Sequence, residues 1–396
     1  MGITLARRAE AIESSITREL LTVGDRPGMR SLAGGLPDPA SFPTARLEAA
    51  ARSILRTPGR AERALQYGPT DGLVELRSVL AATPLVQRVA GTAVDDFVVT
   101  TGSQQAVHLL ASVLGDRGDT VVVDDPCYLG ARQVLNAAGA RLVGIPVDGD
   151  GLRVDVLADR LGAGLRPRYV YTVPAFQNPS GAVLSAERGE SLIALARRYG
   201  FLVIEDDAYG ALGFETAAPT ALGSAAPDAV VTLGTTSKVI APGLRIGWLR
   251  APSEVRSAVV RTKQSIDLHS SSFSQLLVAE LLSDTDFLRE HLSTTRRQYA
   301  ARAAALADAL RTSGVSFSSP RGGLFLWARL AGVDTTALLE VALANNVMFV
   351  PGSAFAVDLR WSEHARLSFA TLAEPELRAA GADIVRLAGL AGHIPG

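Results

Sequence analysis

A lysine stands at position 238 in the run Leu233-Gly234-Thr235-Thr236-Ser237-Lys238-Val239-Ile240-Ala241-Pro242-Gly243-Leu244-Arg245-Ile246-Gly247, and the only other lysine in the chain is Lys263. A lysine set among apolar neighbours loses solvation. That lowers its pKa and makes the amine a nucleophile suited to Schiff-base chemistry. Thr235, Ser237 and Arg245 are residue types that hold a phosphate. Taken alone, the segment reads equally well as a surface lysine on a Gly/Ser loop.

Other polar groups stand at predicted turns. Thr100-Thr101-Gly102-Ser103-Gln104-Gln105 ends one predicted strand and opens a helix, where free N–H groups and the positive dipole end suit a phosphate. An N-cap serine is the plainer reading there. Asp206, in Ile204-Glu205-Asp206-Asp207-Ala208-Tyr209, falls at the carboxyl end of a buried strand, the edge at which open α/β sheets bind ligands. Tyr128 follows another predicted strand toward the same edge. Asn178, in Gln177-Asn178-Pro179-Ser180-Gly181, is by itself a turn residue. Arg366 carries a planar fork suited to a carboxylate. The five histidines show no metal-ligand spacing.

The elements that must position these groups follow from the apolar pattern. The pattern predicts strands over Phe97–Thr101, Thr120–Val123, Arg141–Ile145, Tyr169–Val173, Phe201–Ile204, Ala229–Leu233 and Ile246–Leu249. Helices over Gln104–Leu114, Ala131–Ala138 and Ser185–Tyr199 lie between them. Continuous apolar strands separated by helices predict an α/β fold with a mostly parallel sheet covered on both faces. Asp148-Gly149-Asp150-Gly151 begins like a calcium loop, but Arg153 occupies the position that needs glycine, so a strand-to-helix turn is expected. After about residue 284 the pattern changes. A long helix over Asp286–Thr312 is expected. Two strands within Val315–Leu330 follow, then a helix over Thr335–Asn345, strands over Val347–Val350 and Arg366–Phe369, and a helix over Glu374–Leu390. The expected division is an N-terminal arm (1–30), a large domain (31–284) and a smaller α+β domain (285–396).

Bulk composition narrows the function classes. The chain has 396 residues, 47% hydrophobic and 20% charged, and a net charge of −1. That is ample for a large core, and it leaves no basic footprint for nucleic acid. One cysteine, Cys127, excludes an intrachain disulfide, which fits a reducing cytoplasm. The first twenty residues lack the apolar core of a signal peptide.

The run T-T-S-K-x-x-x-P-G-L-R resembles the cofactor-lysine signature of the fold-type I, class I/II aminotransferases, with Thr235 in place of the usual serine. The other landmarks follow in that family's order from about residue 12 to about residue 390. The resemblance implies pyridoxal 5′-phosphate as cofactor, with Lys238 as its Schiff-base lysine. It implies Ser103, Gln104, Thr235, Ser237 and Arg245 at the phosphate. The family pattern D-x-[AP]-Y selects Asp206 for the pyridine nitrogen and Tyr209, with Asn178, for the ring 3′-oxygen. It leaves Glu205 and Asp207 structural. Tyr128 corresponds to the aromatic that stacks on the ring, and Arg366 to the arginine that binds the substrate α-carboxylate. Tyr67, in Gln66-Tyr67-Gly68-Pro69, corresponds to a tyrosine that reaches the neighbouring subunit's phosphate, which implies a homodimer with shared sites.

Ser31-Leu32-Ala33-Gly34-Gly35-Leu36-Pro37-Asp38-Pro39 resembles the 2-aminoadipate and kynurenine aminotransferase subgroup, with Gly35 against the substrate carboxylate. Ser15-Ile16-Thr17-Arg18-Glu19-Leu20 resembles that subgroup's mobile helix. It would put Ser15 at the substrate and Arg18 on an acidic side chain. The activity so implied is amino-group transfer from an L-amino acid to a 2-oxo acid, 2-oxoglutarate being the expected acceptor. A pyridoxal-phosphate enzyme doing oxidation, cyclisation or elimination shares the same cradle. A regulatory sensor of this fold is the reading from another class.

Overall fold

The structure is a computed structural model that describes residues 26–83, 88–89, 91–214, 219–311 and 314–391. The segment with Ser15 and Arg18 lies outside the described residues. The strands in chain order are β1 (Arg30–Ser31), β2 (Phe97–Thr100), β3 (Thr120–Asp125), β4 (Arg141–Asp148), β5 (Gly151–Leu152), β6 (Tyr169–Thr172), β7 (Leu202–Asp206), β8 (Val230–Thr235), β9 (Gly247–Arg250), β10 (Val315–Phe317), β11 (Phe325–Leu330), β12 (Val347–Met348), β13 (Val350–Pro351) and β14 (His364–Ser368).

Eight strands form the large sheet in the order β2-β9-β8-β7-β6-β3-β4-β5. The run β8-β7-β6-β3-β4 is parallel. β9 runs antiparallel to both β8 and β2, and β5 antiparallel to β4. Every residue of β2, β3, β6 and β8 is buried, as expected where helices cover both faces. Because the strands are parallel, β3, β6, β7 and β8 end on one edge, at Asp125, Thr172, Asp206 and Thr235.

The helices between them have legible ends. Ser103–Leu114 begins after Gly102, whose φ is 76°. Ala186–Tyr199 is capped by Ser185 accepting from the Arg188 N–H, and stops at the left-handed Gly200. Leu129–Ala138 stops the same way at Gly139.

A second, antiparallel sheet has the order β10-β11-β14-β13. The helix Thr285–Leu310, capped by Asp284, packs on the C-terminal helix Glu374–Ala391. β1 pairs in parallel with β12, so the chain entering the glycine-rich segment 33–36 runs beside this smaller sheet. The same segment is held from the long helix. Arg302 donates to Asp38 at 2.7 Å, and the Asp38 N–H donates to the Tyr299 hydroxyl at 3.1 Å.

Three expectations need correction. The strand predicted over Phe97–Thr101 stops at Thr100, because the chain turns there: Gly102, at φ 76°, donates its N–H back to the Thr100 carbonyl at 2.9 Å. The Asp148–Gly151 turn joins two strands, β4 and β5, and the helix Val154–Gly162 starts only afterwards. The strand predicted over Val347–Val350 is two short strands, since the chain leaves β1 and passes to β14 at Phe349.

Candidate active site

The carboxyl edge of the large sheet opens on a cavity of about 560 Å³. It is lined by Gly35, Ser103, Gln104, Tyr128, Asn178, Asp206, Tyr209, Thr235, Ser237, Lys238, Arg245 and Arg366. Twelve of the fifteen site residues expected from the sequence are therefore brought together. Tyr67 is not among them. Its side chain is 79% exposed outside the cavity, edge-on to His269 at 5.8 Å between ring centroids. Ser15 and Arg18 lie outside the described residues.

Lys238 follows β8, and its Nζ donates to the Gly35 carbonyl at 2.7 Å. Burial pushes its pKa down to about 8, helped by the Arg366 and Arg245 charges and opposed by Asp206. The amine is therefore far closer to neutral near physiological pH than a surface lysine. Lys263 takes no part in the cavity. It is fully buried elsewhere and ion-paired with Asp267 at 2.8 Å.

Asp206 ends β7. Its Oδ2 accepts from the Tyr171 hydroxyl at 2.6 Å, while its buried Oδ1 has no partner. Burial raises the carboxyl to about 6, with Asp207 adding to the rise and the Tyr171 hydrogen bond and Lys238 opposing it. An orphaned carboxylate oxygen in a cavity wall is what a protonated ring nitrogen would satisfy, so the site fits the pyridine of the cofactor. Tyr171 went unread in the sequence, where β6 shows only a buried apolar run. The adjacent acids face elsewhere. Glu205 accepts from the Leu222 and Gly223 N–H groups at 2.9 and 3.0 Å. Asp207 pairs with Arg88 at 2.6 Å.

At the other pole, Ser103 and Gln104 open a helix whose first N–H groups have no intrahelical acceptor. Arg245 closes over this turn from a left-handed conformation, φ 53°, and its Nη2 donates to the Thr101 carbonyl at 3.3 Å. A Cβ on Gly102 would stand 2.4 Å from that Nη2, so only glycine allows the guanidinium so close. Thr235 Oγ1 donates to Ser237 Oγ at 2.9 Å and accepts from the Ser237 N–H at 3.1 Å. The threonine thus supplies the hydroxyl that serine gives in the family signature. N–H groups, two hydroxyls and one guanidinium form a phosphate-sized cradle.

The third pole is Arg366 on β14. Its Nη1 donates to Asn178 Oδ1 at 2.9 Å and its Nη2 to the Ala33 carbonyl at 2.6 Å, and its buried Nε has no partner. The guanidinium lies over the Phe325 ring at 4.3 Å and near Phe355 at 5.0 Å. Burial brings Arg366 down to about 10, so it remains a cation. Asn178 Nδ2 donates to the Tyr209 hydroxyl at 3.3 Å, linking Arg366 to Tyr209. Burial pushes Tyr128 up to about 12, so its hydroxyl stays neutral in the cavity wall.

A lysine after a central strand, a carboxylate at the end of its neighbour and a phosphate cradle at a helix start define the class of fold-type I pyridoxal-phosphate enzymes. The chain belongs to the family described as "Aminotransferase class I and II", whose model matches residues 34–384. Two relatives span nearly its whole length. One is the 2-aminoadipate transaminase of Thermus thermophilus, 38% identical over 372 residues, which are 92% of this chain and 91% of the relative. The other is the aromatic-amino-acid aminotransferase 1 of Thermococcus litoralis, 35% identical over 382 residues, 94% of this chain and 91% of the relative. The solved structure of the α-aminoadipate aminotransferase LysN from Thermus thermophilus, complexed with N-(5′-phosphopyridoxyl)-L-leucine, is similar with a TM-score of 0.89 and 35% identity. That similarity covers 98% of this chain and 97% of LysN. The protein is a pyridoxal-phosphate-dependent aminotransferase. No helix among the described residues is long and apolar enough to cross a membrane.

Proposed function

We propose that the enzyme transfers the amino group of a 2-aminoadipate-like, glutamate-like or aromatic L-amino acid to a 2-oxo acid, with 2-oxoglutarate as the acceptor. The observation that carries the reading is the convergence of Lys238, Asp206 and Arg366 on one cavity. The substrate range is supported by the names of the relatives and by a cavity lining that adds Leu36, Leu129 and Pro242 to the polar groups.

Pyridoxal phosphate, when bound, supplies an aldehyde that condenses with amines and a ring that withdraws electrons from the substrate Cα. The chain's own residues do the rest. Ser103, Gln104, Thr235, Ser237 and Arg245 hold the phosphate. Asp206 holds a proton at the ring nitrogen, and Tyr171 keeps that carboxylate oriented. Asn178 and Tyr209 donate to the ring 3′-oxygen, and Tyr128 covers a ring face. Arg366, fixed by Asn178 and Ala33, binds the α-carboxylate, with Gly35 packed beside it. Lys238, its pKa lowered to about 8, moves the Cα proton as a neutral amine.

The shared-site homodimer is part of the same proposal. It is supported by Tyr67 standing exposed together with Leu65 (76%) and Val74 around one open groove, an apolar surface that a second copy would cover. In the division into arm (1–30), large domain (31–284) and small domain (285–396), the split between the last two is supported by the separate eight-stranded and four-stranded sheets. A reducing, cytoplasmic location is supported by the single, buried Cys127.

The test is a panel of L-amino acids mixed with the pyridoxal-phosphate form, following the absorption spectrum and the released oxo acid. One equivalent of pyridoxamine phosphate per site is expected, with acidic or aromatic donors fastest. Oxygen uptake or free ammonia without pyridoxamine phosphate would overturn the proposal.

A further inference from the structure

We infer that Lys263 is a positioning residue for the phosphate end of the site, acting through Gln105 and Thr101 on the turn that opens the helix Ser103–Leu114. The inference rests on the reading that this turn holds the cofactor phosphate.

Lys263 is one of only two lysines, and it is 0% exposed. All three of its N–H donors are used. They reach Gln105 Oε1 at 2.9 Å, both Asp267 oxygens at 2.8 Å and Ser270 Oγ at 3.2 Å. Each of those partners also touches the turn. Gln105 Oε1 accepts the Thr101 N–H at 2.7 Å. Asp267 Oδ2 accepts from Thr101 Oγ1 at 3.1 Å and from Gln105 Nε2 at 2.7 Å. Ser270 Oγ lies 3.1 Å from Thr101 Oγ1. Thr101 is thus held at its N–H and its hydroxyl by a network that centres on one ammonium.

A buried ion pair is weak evidence of a stability role, because apolar residues of similar volume often serve as well. What this pair does locally is specific. By accepting the Thr101 N–H, Gln105 holds the first peptide beyond the end of β2. The chain then turns through Gly102, and the Thr100 hydroxyl donates to the Gly102 carbonyl at 2.9 Å. The peptide planes on both sides of Gly102 are therefore fixed, and with them the direction of the N–H groups at positions 103 and 104. Arg245 donates to the Thr101 carbonyl, so the same peptide also places the guanidinium. Lys263 and Asp267 neutralise each other, so the role is orientation rather than long-range attraction. A preorganised anion cradle binds more tightly than one that must be ordered on binding.

The test compares apo wild type, Lys263→Met and Gln105→Met for binding of pyridoxal phosphate, pyridoxal and inorganic phosphate. Both aldehydes condense with Lys238, so the ratio of their Kd values isolates the phosphate. Lys263→Met leaves Asp267 without its cation, whereas Gln105→Met cuts the link to the Thr101 N–H without stranding a charge and leaves the contacts of Asp267 and Ser270 to its hydroxyl in place. If Lys263→Met does not fold, Gln105→Met carries the measurement. Pyridoxal phosphate and inorganic phosphate are expected to bind about tenfold more weakly to the variants, with pyridoxal unchanged within about twofold. Unchanged phosphate binding, or equal loss for pyridoxal phosphate and pyridoxal, would overturn the inference. If wild type itself gained nothing from the phosphate group, the placement of the cradle would fall instead, and the inference with it.

Discussion

Lys238 and Gly35 are joined across 203 positions of sequence by one hydrogen bond of 2.7 Å, from the ammonium to the glycine carbonyl. A Cβ on Gly35 would stand 3.1 Å from the Phe325 ring, and that ring lies 4.3 Å beneath the Arg366 guanidinium. Arg366 in turn donates to Ala33, two residues from Gly35. The Lys238 amine, the glycine segment and the Arg366 guanidinium therefore form one packed assembly in the cavity wall.

Lys238→Ala removes both the nucleophile and the base that moves the Cα proton. A loss of at least ~10²–10⁴-fold in transamination is expected. Borohydride reduction followed by peptide mapping should tag position 238 in wild type and nothing in the variant. A tag on Lys263 would contradict the geometry, because that amine is fully buried and ion-paired.

Asp206 makes stability of the apo protein depend on pH. Its carboxyl rises from 3.8 to about 6 because burial penalises the charge. A raised carboxyl contributes stability that is present in full below its unfolded pKa and lost as pH rises through its folded pKa. A rise from 3.8 to about 6 corresponds to roughly 3 kcal/mol. Relative to Asp206→Asn, the apo wild type should lose that much between about pH 4 and pH 7. Glu205 and Asp124 are raised as well, but they are common to both proteins and cancel in the comparison. Chemical denaturation of the pair across this range checks the expectation, and a gap constant with pH would refute it. Tyr171→Phe, which removes the bond opposing the rise, should shift the window upward.

Arg366→Lys should raise KM for the amino donor and lower kcat/KM by roughly 10–100-fold, as charge-assisted hydrogen bonds contribute about 1.5–3 kcal/mol each. Lysine cannot hold Asn178 and Ala33 while also gripping a carboxylate. Steady-state kinetics with two donors of different side chain decide the matter. Equal losses for both mark recognition of the shared α-carboxylate. A loss confined to one donor would place Arg366 at the side chain.

The parts of this architecture that recur locally could be read from the residues, and the parts made by folding could not. The apolar runs of β3, β6 and β8 are buried on both faces and carry a strong strand signal. Gly102, Gly139 and Gly200 mark turns that only their backbone freedom explains. Tyr171 was hidden because a tyrosine inside an apolar strand looks like core until Asp206 is seen 2.6 Å from its hydroxyl. The Lys263 network was hidden for a similar reason. Lys263, Asp267 and Ser270 lie in one stretch, but Gln105 is 158 positions away and joins them only when the helix Ser253–Gln264 packs on Ser103–Leu114. The helix Ser272–Ser283 shows only an apolar patch in sequence, because it is buried nearly all round and lacks a polar stripe to reveal its period.

Tyr67 offers the sharpest test of the proposed dimer. Within one chain its ring lies edge-on to His269 at the surface, outside the cavity. If it serves the partner's phosphate, Tyr67→Ala damages the neighbouring site and Lys238→Ala damages its own. A hybrid dimer of the two variants then has one site with both defects and one intact site. Random mixing makes half of the dimers hybrids, so about a quarter of wild-type activity should reappear from two poorly active parents. Unfolding and refolding the mixture, followed by assay at limiting pyridoxal phosphate, measures it. Activity no higher than the mean of the parents would mean that each cavity is complete within one chain, and Tyr67 would then be a surface residue of the turn at Gly68-Pro69.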